Sequence, residues 1–142
     1  MKPIHSDFLK HLKHKNQSLI DVYIDLRNFI LKLYPNSNEL LYHTHALTSL
    51  YSVSQKMNDG FCMIVIYTNH INLAFNKGTV IADPNNILQG TGKWMRHIPI
   101  KSESDYNNPA VIELIKSARN LALEDTTATS LEQGLVISKI KN

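Results

Sequence analysis

The sequence predicts an α+β fold, a two-layer sandwich with helices packed on one face of a mostly antiparallel sheet of four to five strands. Two observations lead to this prediction. Apolar residues recur at helical spacing near both ends of the chain, and they alternate every second residue between Glu39 and Ile100. Amphipathic helices laid on one face of such a sheet bury a shared core. With 142 residues, 43% of them hydrophobic, the chain has the size of one ordinary domain.

The helices are predicted from capping residues and apolar spacing. A short helix is expected after Ser6, and Ser18–Asp21 has the form of a capping box that opens a longer one. Tyr34-Pro35 ends that helix, because proline excludes the helical conformation from its predecessor. Asp83-Pro84 predicts a further short helix, and Asn108-Pro109 opens the final one.

The strands are predicted from two-residue alternation. Phe61–Tyr67 is apolar throughout, which is typical of a central strand, and Thr68-Asn69 predicts a tight turn into the next one. Leu135–Ile140 is expected either to add an edge strand or to stay loose. The domain is therefore expected to span residues 1–127, with a tail at 128–142. The other predicted strands are Glu39–Leu47, Ser49–Ser54, His70–Asn76 and Met95–Ile100.

Composition and charge narrow the functional classes. No apolar run approaches bilayer-spanning length, and the N-terminus lacks the apolar centre of a secretion signal, so we expect a cytoplasmic protein without a membrane partner. Cys62, the single cysteine, lies in an apolar run and is expected to be buried and inert. Lysines and histidines crowd Lys2–Lys15, but Phe8, the one aromatic residue among them, belongs to the apolar stripe of the short helix and is not expected to stack on bases. Nucleic acid is therefore not the expected partner.

Three segments carry a family resemblance: HINLAFNKG at His70–Gly78, DPNNILQGTGKWMRHI at Asp83–Ile98 and PAVIELIKSA at Pro109–Ala118. They resemble the bacterial YdhG-like family, small domains mostly of unknown function, and the likeness covers most of the chain between its termini. The resemblance implies a frataxin-like fold, with a helical layer on an antiparallel sheet. For some family members it implies an iron-chaperone role, which in frataxin depends on an acidic ridge.

The first segments of this chain depart from that acidic ridge. Their basic residues outnumber their acidic ones: Lys10, Lys13, Lys15, Arg27 and Lys32 stand against Asp7, Asp21 and Asp25. Hard cations such as iron need clustered carboxylate oxygens. An acidic-ridge mechanism is therefore not expected here.

The glycine-flanked loop GTGK suggests a site for a small anionic or polar ligand. It lacks the earlier glycine of a P-loop, where Ile87 stands, and the following Ser or Thr, where Trp94 stands. A purely structural turn is the alternative reading. Exposed backbone N–H groups beside lysine and arginine could still hold an anion. The candidate ligand-binding residues are His70, Asn72, Gly90, Thr91, Gly92, Lys93, Arg96 and His97.

The histidines suggest a second candidate site. If Leu40 and Tyr42 face the helices, alternation places several imidazoles together on the opposite, helix-free side of the sheet. Neutral imidazole suits zinc or iron, so a divalent metal is the one cofactor considered. Ordinary surface histidines on a polar sheet face are the alternative. The candidate metal ligands are His43, His45, His70 and His97.

No catalytic constellation is complete in the sequence. No serine lies in a glycine elbow, and Asp83 is better explained as a cap. We therefore expect a small binding or accessory domain, with a metal handler as the alternative and an enzyme of unrecognised type as a further one. An exposed edge at Leu135–Ile140 would allow self-association by strand pairing.

Overall fold

Six strands form one mixed sheet, and three helices pack on one side of it. The structure is a computed structural model that describes residues 2–141. The helices are α1 (Ser6–Leu12), α2 (Gln17–Leu33) and α3 (Pro109–Asp125). The strands are β1 (Asn38–His43), β2 (Leu47–Ser52), β3 (Gly60–Ile66), β4 (Ile71–Phe75), β5 (Arg96–Ile100) and β6 (Val136–Ser138). Their order across the sheet is β5-β4-β3-β2-β1-β6, and all neighbours are antiparallel except β6, which runs parallel to β1.

The α+β prediction is confirmed, but the sheet has six strands instead of four to five. The additional strand is β6, which forms the edge beside β1. A buried asparagine in β1 brings the tail there: Asn38 Oδ1 accepts hydrogen bonds from the backbone N–H groups of Gln133 and Leu135, at 3.1 and 2.9 Å. The Asn38 amide in turn donates to the carbonyl oxygen of Ser54, at 3.0 Å. The tail therefore continues the sheet instead of staying loose.

Two local predictions about helices are wrong. Asp83-Pro84 opens no helix: the Asp83 carboxylate accepts from the backbone N–H groups of Ile87 and Leu88, and it closes a turn instead. Asn86 within that turn has φ of 53°, which an α-helix does not tolerate. The second helix begins at Gln17, and Asn16 caps it by accepting from the N–H of Ser18.

The main core lies between the helices and the sheet. Both longer helices direct an apolar face toward it, and the central strand β3 is buried along its whole length. The largest buried apolar residues in this layer include Phe8, Tyr23, Leu26, Ile30, Leu41, Ile64, Leu73, Phe75 and Ile115. This layer leaves the opposite face of the sheet free of helices.

The helix-free face carries a second apolar cluster instead of the polar surface that alternation predicted. Its members are Leu40, Leu50, Met63, Val65 and Ala74, with Tyr42 and Ala46 packed against them. Leu41 belongs to the main core, so it is Leu41, and not Leu40, that faces the helices. The predicted orientation of β1 was therefore wrong. Adjacent leucines make both faces of this strand apolar, so two-residue alternation cannot indicate which face is turned toward the helices.

Candidate functional site

The loop between Gly90 and His97 is held in shape by hydrogen bonds that its backbone carbonyl oxygens accept from Arg96 and Thr79. The Arg96 guanidinium donates to the carbonyl oxygens of Gly92 and Met95, the latter at 2.8 Å. Thr79 adds two bonds from across the loop, its N–H to Trp94 O at 3.0 Å and its hydroxyl to Lys93 O at 3.1 Å. Arg96 therefore serves as an internal brace of the loop.

Two glycines make this loop geometry attainable. Gly90 adopts φ of +126°, which residues with a side chain rarely adopt. Gly78 packs against β5 so closely that an added Cβ would lie 2.8 Å from the backbone nitrogen of Arg96. Beside them, Gln89 and His97 exchange backbone hydrogen bonds at 2.8 and 2.9 Å. The glycine-flanked segment is thus a structured turn clamped onto β5.

The structure brings together only part of the predicted ligand-binding set. Gly90, Thr91, Gly92, Lys93, Arg96 and His97 lie in one loop and the start of β5. Asn72 lies on the helix-free face, where it pairs with Pro99 of β5. His97 pairs with Ala74, which lies two positions further along β4. His70 precedes Ile71, which pairs with Ile100 at the far end of β5. At about 3.3 Å per residue, the length of β4 separates His70 from the loop by roughly 15 Å.

The four predicted metal ligands do not share a face. The ring of His43 lies on the helix side of the sheet, with its centroid 4.1 Å from that of His11 in α1. His45 lies in the exposed turn that follows β1, and His70 lies in the β3–β4 turn. His97 is at the other end of the sheet. Among residues 2–141 no group of three or more His, Cys, Asp or Glu side chains stands close enough to hold a metal ion.

A pocket of about 670 Å³ opens beside the loop. Its apolar lining is formed by three methionines, a valine and the indole, and we call it the Met–Trp pocket: Met57, Met63, Val80, Trp94 and Met95. These residues come from the segment before β3, from β3 itself, from the turn after β4 and from the loop. The polar residues at its margin are Asn58, Asn76, Lys77 and Asp125.

The apolar lining of this pocket is unusually open to solvent. Trp94 is 52% exposed and Met95 44%, and both Met57 and Val80 are 54% exposed. Single exposed apolar residues are common on protein surfaces, but a contiguous group of them around a concavity marks a binding surface. Sequence reasoning missed Met57, Met63 and Val80. The one local signal was Trp94-Met95, an apolar pair in a solvent-exposed loop.

Lys77, at the margin of the pocket, is paired with a carboxylate of the same margin. Its ammonium group lies 2.6 Å from a carboxylate oxygen of Asp125, so the two charges largely cancel. Lys93 Nζ lies 5.7 Å from the centroid of the Trp94 ring, within cation–π distance. Asn76 Oδ1 is buried and accepts no hydrogen bond from the residues that the structure describes. Asn76 lines the pocket, although this oxygen is itself closed off from solvent.

The single cysteine lies away from solvent. Cys62 is fully buried in β3, as predicted, and burial raises the pKa of its thiol well above the ordinary range. The thiolate is the nucleophilic form of cysteine. Cys62 is thus a packing residue at neutral pH.

Comparison with protein-family models, with curated proteins and with solved structures finds no match in any of the three. The YdhG-like and frataxin-like resemblance therefore stays a prediction. None of the helices in the described part of the chain is long and apolar enough to cross a bilayer.

Proposed function

We propose that this chain is a binding domain whose ligand is a small, largely apolar molecule held in the Met–Trp pocket. The observation that carries the proposal is the pocket of about 670 Å³ with four large, solvent-exposed apolar side chains around it. Small-molecule sites typically have volumes of about 300–1,000 Å³ and a predominantly apolar lining. A ligand that covers these side chains gains about 25 cal/mol for each Å² of apolar surface removed from water.

The methionines suit a ligand of irregular shape. Thioether side chains are flexible and polarizable, so they adapt to different apolar surfaces better than branched side chains do. The three methionines of the lining come from three segments: Met57 from the segment before β3, Met63 from β3 and Met95 from the loop. Trp94 contributes the one aromatic face, on which a ring or a flat chain of the ligand can stack.

The margin favours a neutral ligand with a hydrogen-bond donor over an anion. Lys77, the cation in the described pocket lining, is paired with Asp125. Arg96, whose Nη1 donates to loop carbonyls, and Lys93 both lie outside that lining. Asn76 Oδ1 is a buried acceptor without a partner among the described residues. A hydroxyl or amide N–H of the ligand would satisfy it once the Asn76 side chain turns toward the pocket. This differs from the anionic ligand that the lysine and arginine of the loop suggested.

Trp94 makes the test direct, because it is the only tryptophan of the chain. Its emission therefore reports on the pocket alone. We expect a medium-chain alcohol such as decanol to shift this emission to shorter wavelength in a saturable way. Decanoate, with the same chain length and a charged head, should bind more weakly.

A matched pair of variants separates the pocket from general apolar adsorption. Met95→Gln places an amide in the wall, whereas Leu9→Gln makes the same kind of change on α1, at a residue that is similarly exposed but outside the pocket. Decanol affinity should fall several-fold in the first variant and stay unchanged in the second. Emission that does not respond to decanol, or equal losses in both variants, would contradict the proposal.

A further inference from the structure

Three turns meet at the end of the sheet opposite the loop of Gly90. They are the α1–α2 turn at residues 13–16, the β1–β2 turn at 44–46 and the β3–β4 turn at 67–70. The strand register makes the last two neighbours, since Leu47 pairs with Ile66. His43 pairs with Leu47 across the first hairpin, so it stands at the same level of the sheet.

Side-chain contacts connect these turns. The ring centroids of His11 and His43 are 4.1 Å apart, which joins α1 to β1. Lys15 Nζ donates to the carbonyl oxygen of Tyr67 at 3.2 Å, which joins the α1–α2 turn to the β3–β4 turn. The rings of Tyr67 and His70 are stacked, 4.4 Å apart and inclined by 11°. We call this surface the histidine end; its members are His11, His14, Lys15, His43, His45, Tyr67 and His70.

The histidine end carries cations without carboxylates of its own. The segments 10–16, 43–47 and 67–70 contain lysines and histidines but neither aspartate nor glutamate. The acidic residues nearest to the first segment along the chain have partners elsewhere: Asp7 accepts from the Ser138 hydroxyl and Asp21 from the Gln17 amide. Most of the members, among them His14, His45 and His70, are exposed to solvent. A polyanion approaching this end therefore meets positive and ionisable groups from three separate turns.

We propose that the histidine end binds single-stranded nucleic acid. Phosphates of the strand would contact Lys15 and the imidazoles, and one base would stack on the exposed Tyr67–His70 pair. Cation clusters attract phosphate backbones by counterion release, and exposed aromatic rings give bases a sequence-tolerant stacking surface. The one aromatic residue of the basic N-terminal segment, Phe8, is buried in the core, but the fold supplies the exposed Tyr67 from a distant turn.

The stacked ring pair favours a single strand over a duplex or a free phosphate. In a duplex the faces of the bases are already stacked on one another, so Tyr67 and His70 would have nothing to stack on. Inorganic polyphosphate presents the same charge but no base. A surface that acted through lysine charge alone would bind all three without distinction.

The test is fluorescence anisotropy with a labelled oligothymidine strand, repeated with a labelled duplex and with inorganic polyphosphate as competitor. We expect saturable binding of the single strand that weakens with salt. Tyr67→Leu should reduce its affinity by about 5-fold or more, which corresponds to the loss of one stacked base. Lys15→Gln should lower the salt dependence by about one phosphate contact.

The matched control is Lys116→Gln, an exposed lysine in the middle of α3 that loses the same charge away from the histidine end. Thermal melts of all three variants check that they stay folded. Tyr67→Phe keeps the aromatic ring, so it should retain the binding that Tyr67→Leu loses. The proposal is overturned if the oligothymidine does not bind, if Tyr67→Leu binds as well as the parent protein, or if Lys116→Gln weakens binding as much as Lys15→Gln does. It is also overturned if duplex or polyphosphate binds as tightly as the single strand.

Discussion

Arg27 on α2 and Glu39 on β1 form a two-pronged ion pair inside the core. Arg27 Nε and Nη2 donate to Oε2 and Oε1 of Glu39 at 2.8 and 2.9 Å, and the two side chains are only 2% and 1% exposed. The same guanidinium donates to the carbonyl oxygens of Lys2 and Pro3. The pair thus joins the N-terminal segment, the helical layer and the sheet at one point.

Removing either partner of this pair should be strongly destabilising, because it leaves the other charge buried without compensation. We expect Glu39→Ala and Arg27→Ala each to lower the free energy of unfolding by about 3–5 kcal/mol, measured by urea denaturation. The double variant Arg27→Met/Glu39→Leu, which buries no charge, should lose much less than the sum of the two single variants. Losses below about 1 kcal/mol for both single variants would show that the pair is open to water.

Gly78 should be essential for the loop that borders the pocket. A Cβ at this position would overlap Arg96, including its backbone nitrogen, which cannot move without separating β5 from β4. Gly78→Ala is therefore expected to cost about 1–3 kcal/mol, the usual range for overpacking, and to reduce ligand binding at the Met–Trp pocket. Urea denaturation and Trp94 emission measure the two effects.

Gly92→Ala is the matched control for this prediction. A Cβ there would meet only the carbonyl oxygen of Met95, at the ordinary contact distance of 3.8 Å. We expect a change in the free energy of unfolding within about 0.5 kcal/mol, as for other surface substitutions. If the two alanine variants behaved alike, the close approach of Gly78 to β5 would be disproved.

His43 should make the protein less stable in mild acid. Desolvation lowers the pKa of His43 below its ordinary value of 6.5, and the charges of His11 and Lys15 lower it further. The unfolded chain then binds this proton more readily than the folded one, so the free energy of unfolding falls as the pH drops below about 6.5 and through the folded pKa. His43→Asn should consequently lose less stability than the parent protein between about pH 7.5 and about pH 5.5.

The measurement for His43 is urea denaturation at a series of pH values. His45→Asn, which removes an imidazole from the neighbouring exposed turn, serves as the control. If the free energy of unfolding fell with pH equally in His43→Asn and in the parent protein, His43 in its contact with His11 would not be a source of acid sensitivity.

Much of the fold could be predicted because local signals agreed with it. Asn108 followed by Pro109 marked the start of α3, where the Asn108 side chain does cap the helix by accepting from the N–H of Val111. The apolar run of β3 marked a strand that proves to be buried throughout. The edge strand β6 was harder to predict, since it depends on hydrogen bonds that the Asn38 side-chain oxygen accepts from backbone N–H groups almost a hundred residues away.

The candidate sites show where local reasoning ends. Two-residue alternation placed Asn72 correctly on the helix-free face, but it misplaced His43 because Leu40 and Leu41 make both faces of β1 apolar. The anion site suggested by the lysine and arginine of the loop stays a prediction. What no pattern of residue types reveals is that Arg96 also braces its own loop, because this role depends on where the carbonyl groups point.

The most direct test of the Met–Trp pocket is NMR of the protein labelled with ¹³C at the methionine methyl groups. Of the four methionines in the chain, three line the pocket. On titration with decanol we expect the methyl signals of Met57, Met63 and Met95 to shift together along one saturation curve. Methyl signals that stay in place, or shifts that never saturate, would contradict a ligand site in this pocket.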